Sequence, residues 1–418
     1  MLPPSGSYED YGDVTLIRAT ELGRDLKINL STSPKVPREY FKHKRAQVQV
    51  HDILLAVKGA TIASEKCVCF VQENVENAIV NGSIFRMKAA NQISPKYLAY
   101  VLDSPFAKRQ MKVNLIANNA VDYLDLPLIH NLLIPIPAIN IQEEVVLKLD
   151  ETYTGKRAKE AEARRLLESV DAYLLERLGI TLPAMTDTTL GKRIFYATSG
   201  VVLGGRFDAP SHSFTLSFKS ETFPMIRFKD YVEINPYTSL AHLPGETPLS
   251  FVPMESISDL YGEIRGTQTR AAGEAKGYTL FREGDVLWAK ITPCMQNGKS
   301  AIAEDLLNGF GFGSTEYHVF RAANDEVNPS YIHALLRLKH LRNEATKFFS
   351  GSAGHQRVDA DLFKRLSIPL PPLGVQDEIV AHVGKVYAEA KRLRREGLKE
   401  LEAAKREVEA MILNAPAD

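Results

Sequence analysis

The strongest constraint on the fold is an internal repeat, because one segment of the chain returns 234 residues later. Residues 134–144 read IPIPAINIQEE, and residues 368–378 read IPLPPLGVQDE. The same offset places SPKYL at 94–98 on NPSYI at 328–332. Two more matches fall within one residue of that offset, His51–Leu54 with Gly284–Leu287 and Phe85-Arg86 with Phe320-Arg321. Because 418 residues also exceed one ordinary core, we predict two copies of one unit.

Each copy is predicted to be an α/β (α+β) domain followed by a long helix. Short strands are predicted at Ile53–Val57, Val286–Ile291 and Tyr317–Arg321. Ser94-Pro95 and Asn328-Pro329 each open a helix, because a capping side chain followed by proline is typical of a helix start. The proline-rich run that follows cannot be a central strand, so we predict an edge segment that leads into the long helix.

The long helices are predicted near Gln142–Leu178 and Gln376–Leu413. Apolar residues on the second recur at alternating steps of four and three, with one extra step of four at Gly397–Leu401 that resembles a stutter. Lys156 and Lys159 interrupt the stripe on the first. Helices of ~37 residues extend ~55 Å, longer than one such domain, so they would most simply pack on each other as a coiled coil. An amphipathic helix packed on its own domain is the alternative.

The charge of the chain is balanced, so a nucleic-acid surface requires local clusters of basic residues. Lys and Arg number 51, and Asp and Glu also number 51. The segment from Arg24 to Lys58 has eight basic and three acidic residues, and the segment from Ala334 to Arg365 has seven basic and three acidic residues. Either cluster is also compatible with an ordinary solvated face.

Motifs for catalysis, cofactors and metals are not found in the sequence. There is no phosphate-binding glycine loop that ends in Lys-Ser or Lys-Thr, and the three cysteines lack zinc spacing. Asn235-Pro236-Tyr237 approaches a methyltransferase motif but lacks one proline, so we predict a turn after a strand. No signal peptide or membrane span is recognised. The sequence therefore predicts a cytoplasmic protein without a catalytic site, cofactor, metal or membrane contact.

Two loops of the second copy suit DNA reading. Gln296–Lys299 is predicted to be a tight hairpin tip whose amides face bases, with a plain structural hairpin as the alternative. Gly351–Arg357 offers free backbone N–H groups and ends in Gln356-Arg357, where the first copy has Ala117–Tyr123. The candidate DNA-binding residues are Lys58, Asn118, Asn119, Lys290, Thr292, Asn297, Lys299, Ser314, His355, Gln356 and Arg357.

Several of these segments resemble the target-recognition domain of Type I restriction-modification specificity subunits. They include GDVLWAKITP at 284–293, NGKSAI at 297–302, GSTEYHV at 313–319 and GSAGHQRV at 351–358. The resemblance implies two target-recognition domains that each read half of a split DNA target. It also implies that the two long helices pair as an antiparallel coiled coil, with methyltransferase subunits and motor-nuclease restriction subunits as partners.

The predicted organisation has four segments. Residues 1–140 form a first recognition domain whose opening segment is short or missing, so that either the chain starts late or something else covers that face. Residues 141–180 form the first long helix. Residues 181–372 form a linker and the second domain, and residues 373–418 form the second helix. The expected function is a non-catalytic DNA-specificity subunit. A Type IIB-like specificity subunit and a coiled-coil scaffold that does not bind DNA remain alternatives.

Overall fold

The structure is a computed structural model that describes residues 8, 12–113, 115, 122–182, 219–351 and 356–413. The chain divides into a first unit, Met1–Ala161 with Leu393–Asp418, and a second unit, Glu162–Arg392. Each is mixed α/β, as predicted, and each contains part of both long helices. This division differs from the four predicted segments because apolar residues of the helices pack into the cores of the domains.

The first unit is built on two small sheets. Its strands are β1 (Val14–Ile17), β2 (Lys35–Val36), β3 (Ile53–Ala56), β4 (Val68–Phe70), β5 (Ala78–Val80) and β6 (Ile84–Met87). Its helices are α1 (Pro95–Asp103), α2 (Pro105–Val113), α3 (Leu126–His130) and the first part of α4 (Ile139–Arg177). The strand orders are β2-β1-β5, in which β1 and β5 are parallel, and β4-β3-β6, which is antiparallel.

Strand β3 lies at the centre of the first unit and is buried on both faces. Successive side chains of a strand point to opposite faces, and here Ile53 and Leu55 join the cluster that contains α1. Leu54 enters a separate cluster on the other face. Helix α1 begins at the predicted cap, where the Ser94 side chain accepts a hydrogen bond from the Tyr97 N–H.

The second unit has more strands. They are β7 (Ile180–Thr181), β8 (Lys219–Ser220), β9 (Met225–Arg227), β10 (Val232–Ile234), β11 (Pro248–Val252), β12 (Gln268–Ala271), β13 (Thr279–Arg282), β14 (Val286–Ala289), β15 (Ser300–Ile302), β16 (Phe310–Gly313), β17 (Tyr317–Ala322), β18 (Phe349–Ser350), β19 (Arg357–Val358) and β20 (Ser367–Pro369). The helices are α5 (Phe228–Tyr231), α6 (Pro329–Arg337), α7 (Lys339–Ala345), α8 (Asp361–Arg365) and part of α9 (Leu373–Leu413). Two four-stranded sheets, β10-β17-β14-β15 and β12-β11-β16-β13, form its frame, with β20 paired to β9 at one side.

A buried glutamine ties each long helix to its domain. The Gln376 side chain is fully buried; its Oε1 accepts from the Asn328 N–H at 2.8 Å, and its Nε2 donates to the carbonyls of Glu326 and Pro371. Gln142 repeats every one of these bonds in the first unit, with Ser94, Gln92 and Pro137 as partners. These matched positions of the repeat therefore share the same residue type and the same hydrogen bonds.

A buried ion pair also occurs between equivalent strands of the two units. Asp285, directly before β14, is paired with Arg321 of β17 at 2.7 Å, and Asp52, directly before β3, is paired with Arg86 of β6 at 3.0 Å. Both carboxylates are almost fully buried. An unpaired charge at such a site would be costly, so each pair locks two neighbouring strands together.

Both units contain contacts between α4 and α9. In the first unit Lys148 pairs with Glu407 and Lys159 with Glu400. In the second, the Arg177 Nη2 lies 2.7 Å from the Glu378 carboxylate, and the ring of Tyr173 stacks on His382. Within each unit, later positions on α4 meet earlier positions on α9, so the paired parts run antiparallel.

Lys156 interrupts the apolar stripe of α4 in the sequence, but in the structure it is buried where α4 packs against α9. Only 5% of it is exposed, and its Nζ contacts Asp25 at 2.8 Å and Glu160 at 3.0 Å. Gly397 lies against its backbone and stem, and a Cβ at Gly397 would be 3.4 Å from the Lys156 Cα. The lysine that interrupts the stripe of α4 therefore packs against the glycine at the extra four-residue step of α9. Among the described helices, none has an apolar stretch that could cross a membrane.

Candidate nucleic-acid interface

The predicted tight hairpin at Gln296–Lys299 is wrong in its geometry. Strands β14 and β15 do pair, but residues 290–299 connect them in a longer loop of helix-like turns. Its backbone is held by the Met295 N–H, which donates to Ile291, and the Asn297 N–H, which donates to Pro293. Only Gly298 takes a left-handed φ, +82°, whereas a two-residue type I′ turn needs positive φ at both central residues. Asn297 is exposed on this loop.

Four predicted site residues come together where this loop meets residues 356–358. The Thr292 N–H donates to the Gln356 carbonyl at 3.0 Å, and the Val358 N–H donates to the Lys290 carbonyl at 2.9 Å. Lys290 is half-buried, and none of the described residues forms an ion pair or hydrogen bond with its ammonium group. Arg357 lies one residue before Val358, so two basic side chains flank the junction.

Arg357 is held by an acidic partner that the sequence analysis did not select. Its Nε and Nη2 donate to both carboxylate oxygens of Glu316, at 2.7 to 3.0 Å. These hydrogen bonds lower the pKa of Glu316 below its ordinary value. The carboxylate fixes the plane of the guanidinium and offsets its charge. Glu316 stands within the quoted GSTEYHV segment, but nothing in the sequence links it to Arg357, 41 residues later.

Other predicted site residues have different surroundings. Lys299 Nζ donates to the Met254 carbonyl at 2.9 Å, so this lysine braces a neighbouring loop instead of extending into solvent. Ser314 is a turn residue whose Oγ accepts from the Glu316 N–H at 3.2 Å. Asn118, Asn119 and His355 lie outside the described residues.

The same junction recurs in the first unit around Lys58, which is exposed two residues after the end of β3. The Gly59 N–H donates to Asp122 at 2.9 Å, and the Leu124 N–H donates to Val57 at 3.0 Å. At matched positions, these are the bonds of Thr292 with Gln356 and of Val358 with Lys290. Tyr123 replaces Arg357, and Ser83 replaces Glu316, so one backbone frame presents different side chains in the two units.

Beside Lys290, the second unit has an open cavity of about 430 Å³ that is partly aromatic. Tyr237 and Tyr278 line it, and Tyr237 is 88% exposed. Asn235 forms the predicted turn after β10, with φ of +52°. Its Oδ1 accepts from the Val319 N–H of β17 at 3.0 Å, so the amide extends the pairing of β10 with β17. No cluster of three metal-ligating side chains occurs in the described ranges.

Comparison with known proteins agrees with these features. Residues 229–403 match the family model of the Type I restriction modification DNA specificity domain. The part of the chain at residues 229–403 is thus similar to this specificity domain. This match agrees with the resemblance seen in the sequence.

Two relatives are Type I specificity subunits of Escherichia coli. The chain is 34% identical to the EcoEI subunit over 193 residues, which are 46% of this chain and 32% of that protein. It is 34% identical to the EcoAI subunit over 181 residues, which are 43% of this chain and 30% of that protein. The chain thus spans about a third of the length of these relatives. A chain from a structure of Type I R-M complex assembly and conformational transition shares the fold, with a TM-score of 0.55 and 15% sequence identity. The match covers 96% of this chain and 90% of that chain.

Proposed function

We propose that this chain is a non-catalytic DNA-specificity subunit that reads a split target, one half with each unit. The observation that carries the proposal is the repeated junction, Thr292 with Gln356 in one unit and Gly59 with Asp122 in the other. A common frame that presents different polar side chains suits two domains that bind the same kind of double helix but read different bases.

In the second unit, the proposed reading surface is formed by Lys290, Thr292, Gln356 and Arg357. Arg357 reads guanine through its N7 and O6, the commonest specific contact in the major groove. Glu316 positions the guanidinium so that less freedom is lost on binding. Lys290 binds a phosphate, which supplies affinity but no sequence preference.

In the first unit, the equivalent surface is formed by Lys58, Asp122 and Tyr123. The expectation that Asn118 and Asn119 contribute stays a prediction. Because Tyr123 and Ser83 replace the Arg357–Glu316 pair, the two halves of the target should be unrelated sequences.

The long helices are the proposed scaffold for methyltransferase and restriction subunits, which supply the chemistry in the cytoplasm. A Type IIB-like assembly would use the same reading surfaces. A scaffold that does not bind DNA is less well supported, because it gives no reason for basic side chains at the repeated junction.

The test is selection of bound duplexes from a random pool by the full chain. Arg357→Ala should relax one position of the selected sequence, a loss of about 1–3 kcal/mol of discrimination. Lys290→Ala should weaken binding to all duplexes alike and reduce its salt dependence. Lys399→Ala, an exposed lysine on α9, is the control. Selection of the same sequences with the same affinity by Arg357→Ala would remove this residue from the reading surface.

A further inference from the structure

The internal repeat also relates the contacts between the domains and the long helices. At offset 234, the beginning of α4 corresponds to the beginning of α9, and the end of α4 corresponds to the end of α9. The first domain packs on the beginning of α4 and the end of α9, and the second domain packs on the beginning of α9 and the end of α4. Each domain therefore contacts the helix of its own copy and the helix of the other copy.

In the first unit, the contact with the other copy's helix selects a cation. Asp103, the last residue of α1, is 6% exposed, and its carboxylate lies 3.4 Å from the Lys405 Nζ of α9. The same carboxylate accepts from the Tyr153 hydroxyl at 3.4 Å and pairs with Lys108 at 2.6 Å. The Lys405 Nζ also lies 5.7 Å from the centroid of the Tyr153 ring, whose face attracts a cation. Pro105, which begins α2, has no N–H to offer an anion.

In the second unit, the equivalent contact selects an anion. Asp171 of α4 is the counterpart of Lys405, and its Oδ2 accepts from the Lys339 N–H at 3.0 Å. Lys339 begins α7 and is the counterpart of Pro105, so a donor is present here where the first unit has none. The helix residue and the backbone group that receives it have therefore changed together.

Two arginines complete the cationic surface of the second unit. Arg337, the last residue of α6, is the counterpart of Asp103, and its Nε donates to the Tyr387 hydroxyl at 3.2 Å. Arg342 of α7 lies nearby. Burial, with a smaller effect of Arg337, lowers the pKa of Arg342, and the Asp171 carboxylate acts in the opposite direction. The first unit thus presents a carboxylate and an aromatic face to the helix, whereas the second presents an N–H and two guanidinium groups.

A second contact between the helices differs in the same way. Lys148 forms an ion pair with Glu407 in the first unit. At the matched positions of the second unit, His382 stacks on Tyr173, with ring centroids 3.8 Å apart. An α4 helix paired with another α4 would place Lys148 opposite Tyr173, so that neither the ion pair nor the stacked pair forms.

Because the chain is a repeat, a second copy of it is the natural competitor in this pairing. If α4 paired with the α4 of a second copy, Asp103 would meet Asp171. If α9 paired with another α9, Arg337 would meet Lys405. Both exchanges bring like charges together at positions where the chain's own pairing brings favourable partners.

We propose that these charges select the pairing of α4 with α9 inside one chain and reject a second copy of the chain as the partner. Asp103 selects Lys405 in the first unit, and Lys339 with Arg337 selects Asp171 in the second. Discrimination between partners requires a cost for the wrong one as well as a gain for the right one, and like charges supply that cost.

The test exchanges the two helix charges in the full chain, as Asp171→Lys with Lys405→Asp. Each domain then meets an unfavourable side chain within one chain and a favourable one on a second copy. We expect the association constant of the dimer, measured by sedimentation, to rise about tenfold or more over that of the unaltered chain. Glu168→Lys with Lys399→Asp makes the same changes at exposed positions of the same helices and should leave association unchanged. Equal association of the exchanged and the unaltered chain would overturn the proposal.

Single variants decide the matter if the exchanged chain does not fold. Lys405→Asp should melt ~2–4 °C below Lys405→Asn, which has the same shape without the charge. High salt should reduce this difference, because it screens the repulsion from Asp103. At exposed Lys399 the same two substitutions should melt alike. Equal melting temperatures of Lys405→Asp and Lys405→Asn at low salt would show that charge does not select this helix.

Discussion

Asp285 holds a buried negative charge between two strands of the second unit. Its carboxylate accepts from the Arg321 Nε and Nη2 at 2.7 Å and from the Arg282 N–H at 2.8 Å. Arg321→Ala leaves this charge without its cation, so we expect a loss of about 3–5 kcal/mol in the free energy of unfolding. Urea denaturation measures it. Arg282→Ala is the control, because only its backbone takes part, and a change within about 0.5 kcal/mol is expected. Equal effects of the two variants would refute this role of Arg321.

His333 makes the stability of the second unit depend on pH. Burial, with a smaller effect of Arg337, lowers the pKa of His333 to about 3, and its Nε2 lies 3.0 Å from the Ser300 Oγ. The unfolded histidine binds a proton near pH ~6.5 and the folded one does not. The unfolded state therefore holds more protons between these values, and stability falls as the pH falls from 6.5 toward 3.

The variant His333→Ala tests this, because the first copy has Ala99 at the matched position. It should lower the melting temperature at pH 7.5, where the buried ring is lost, but reduce the further drop between pH 7.5 and pH 5. Thermal denaturation at the two values is the measurement. An unaltered drop in the variant would assign the pH dependence to other groups.

Single residues also show where sequence reasoning reaches its limit. Arg357 could be selected from the sequence because a basic residue at the end of a Gly/Ser loop suits DNA. Glu316 could not, because it lies 41 residues before Arg357 in the sequence, and only folding brings the two side chains together. Asn297-Gly298 predicted a two-residue turn, but the backbone bonds of Met295 and Asn297 favour a longer loop.

At the scale of elements, the contact of α4 with α9 depends on a small residue opposite a long one. A Cβ at Gly397 would lie 3.4 Å from the Cα of Lys156, an ordinary contact, and the Lys156 Cγ and Cβ would lie 3.4 and 3.6 Å from it. We expect a larger side chain to displace this lysine. Gly397→Ala should therefore stabilise the first unit by about 0.5–1 kcal/mol through helix propensity. Gly397→Leu should destabilise it by about 1–3 kcal/mol through overpacking. Thermal unfolding separates the two, and a tolerated leucine would contradict this packing.

The bounds of these helices follow closely from the apolar stripes, since the predictions near Gln142–Leu178 and Gln376–Leu413 compare with Ile139–Arg177 and Leu373–Leu413 in the structure. The partners across the helices do not follow from the stripes. Lys156 looked like an interruption and Gly397 like a stutter. Only the register of two helices more than 200 residues apart shows that they are neighbours.

At the scale of the whole molecule, the repeat explains most of what could be predicted. Matched letters at offset 234 correspond to matched hydrogen bonds, as for Gln142 and Gln376, because a buried polar group must keep its partners. The side chains at the repeated junction differ between the copies, so neither copy predicts the other there.

The central claim is that the two units read two separate parts of one DNA target. The most direct measurement is sequencing of methylated sites in a host that carries this chain, its modification subunits and no other specificity chain. The account predicts a motif of two unrelated halves with an unread gap between them. Arg357→Ala should relax one position in one half and leave the other half and the gap unchanged. A continuous motif, or a change in both halves from this single substitution, would contradict the account.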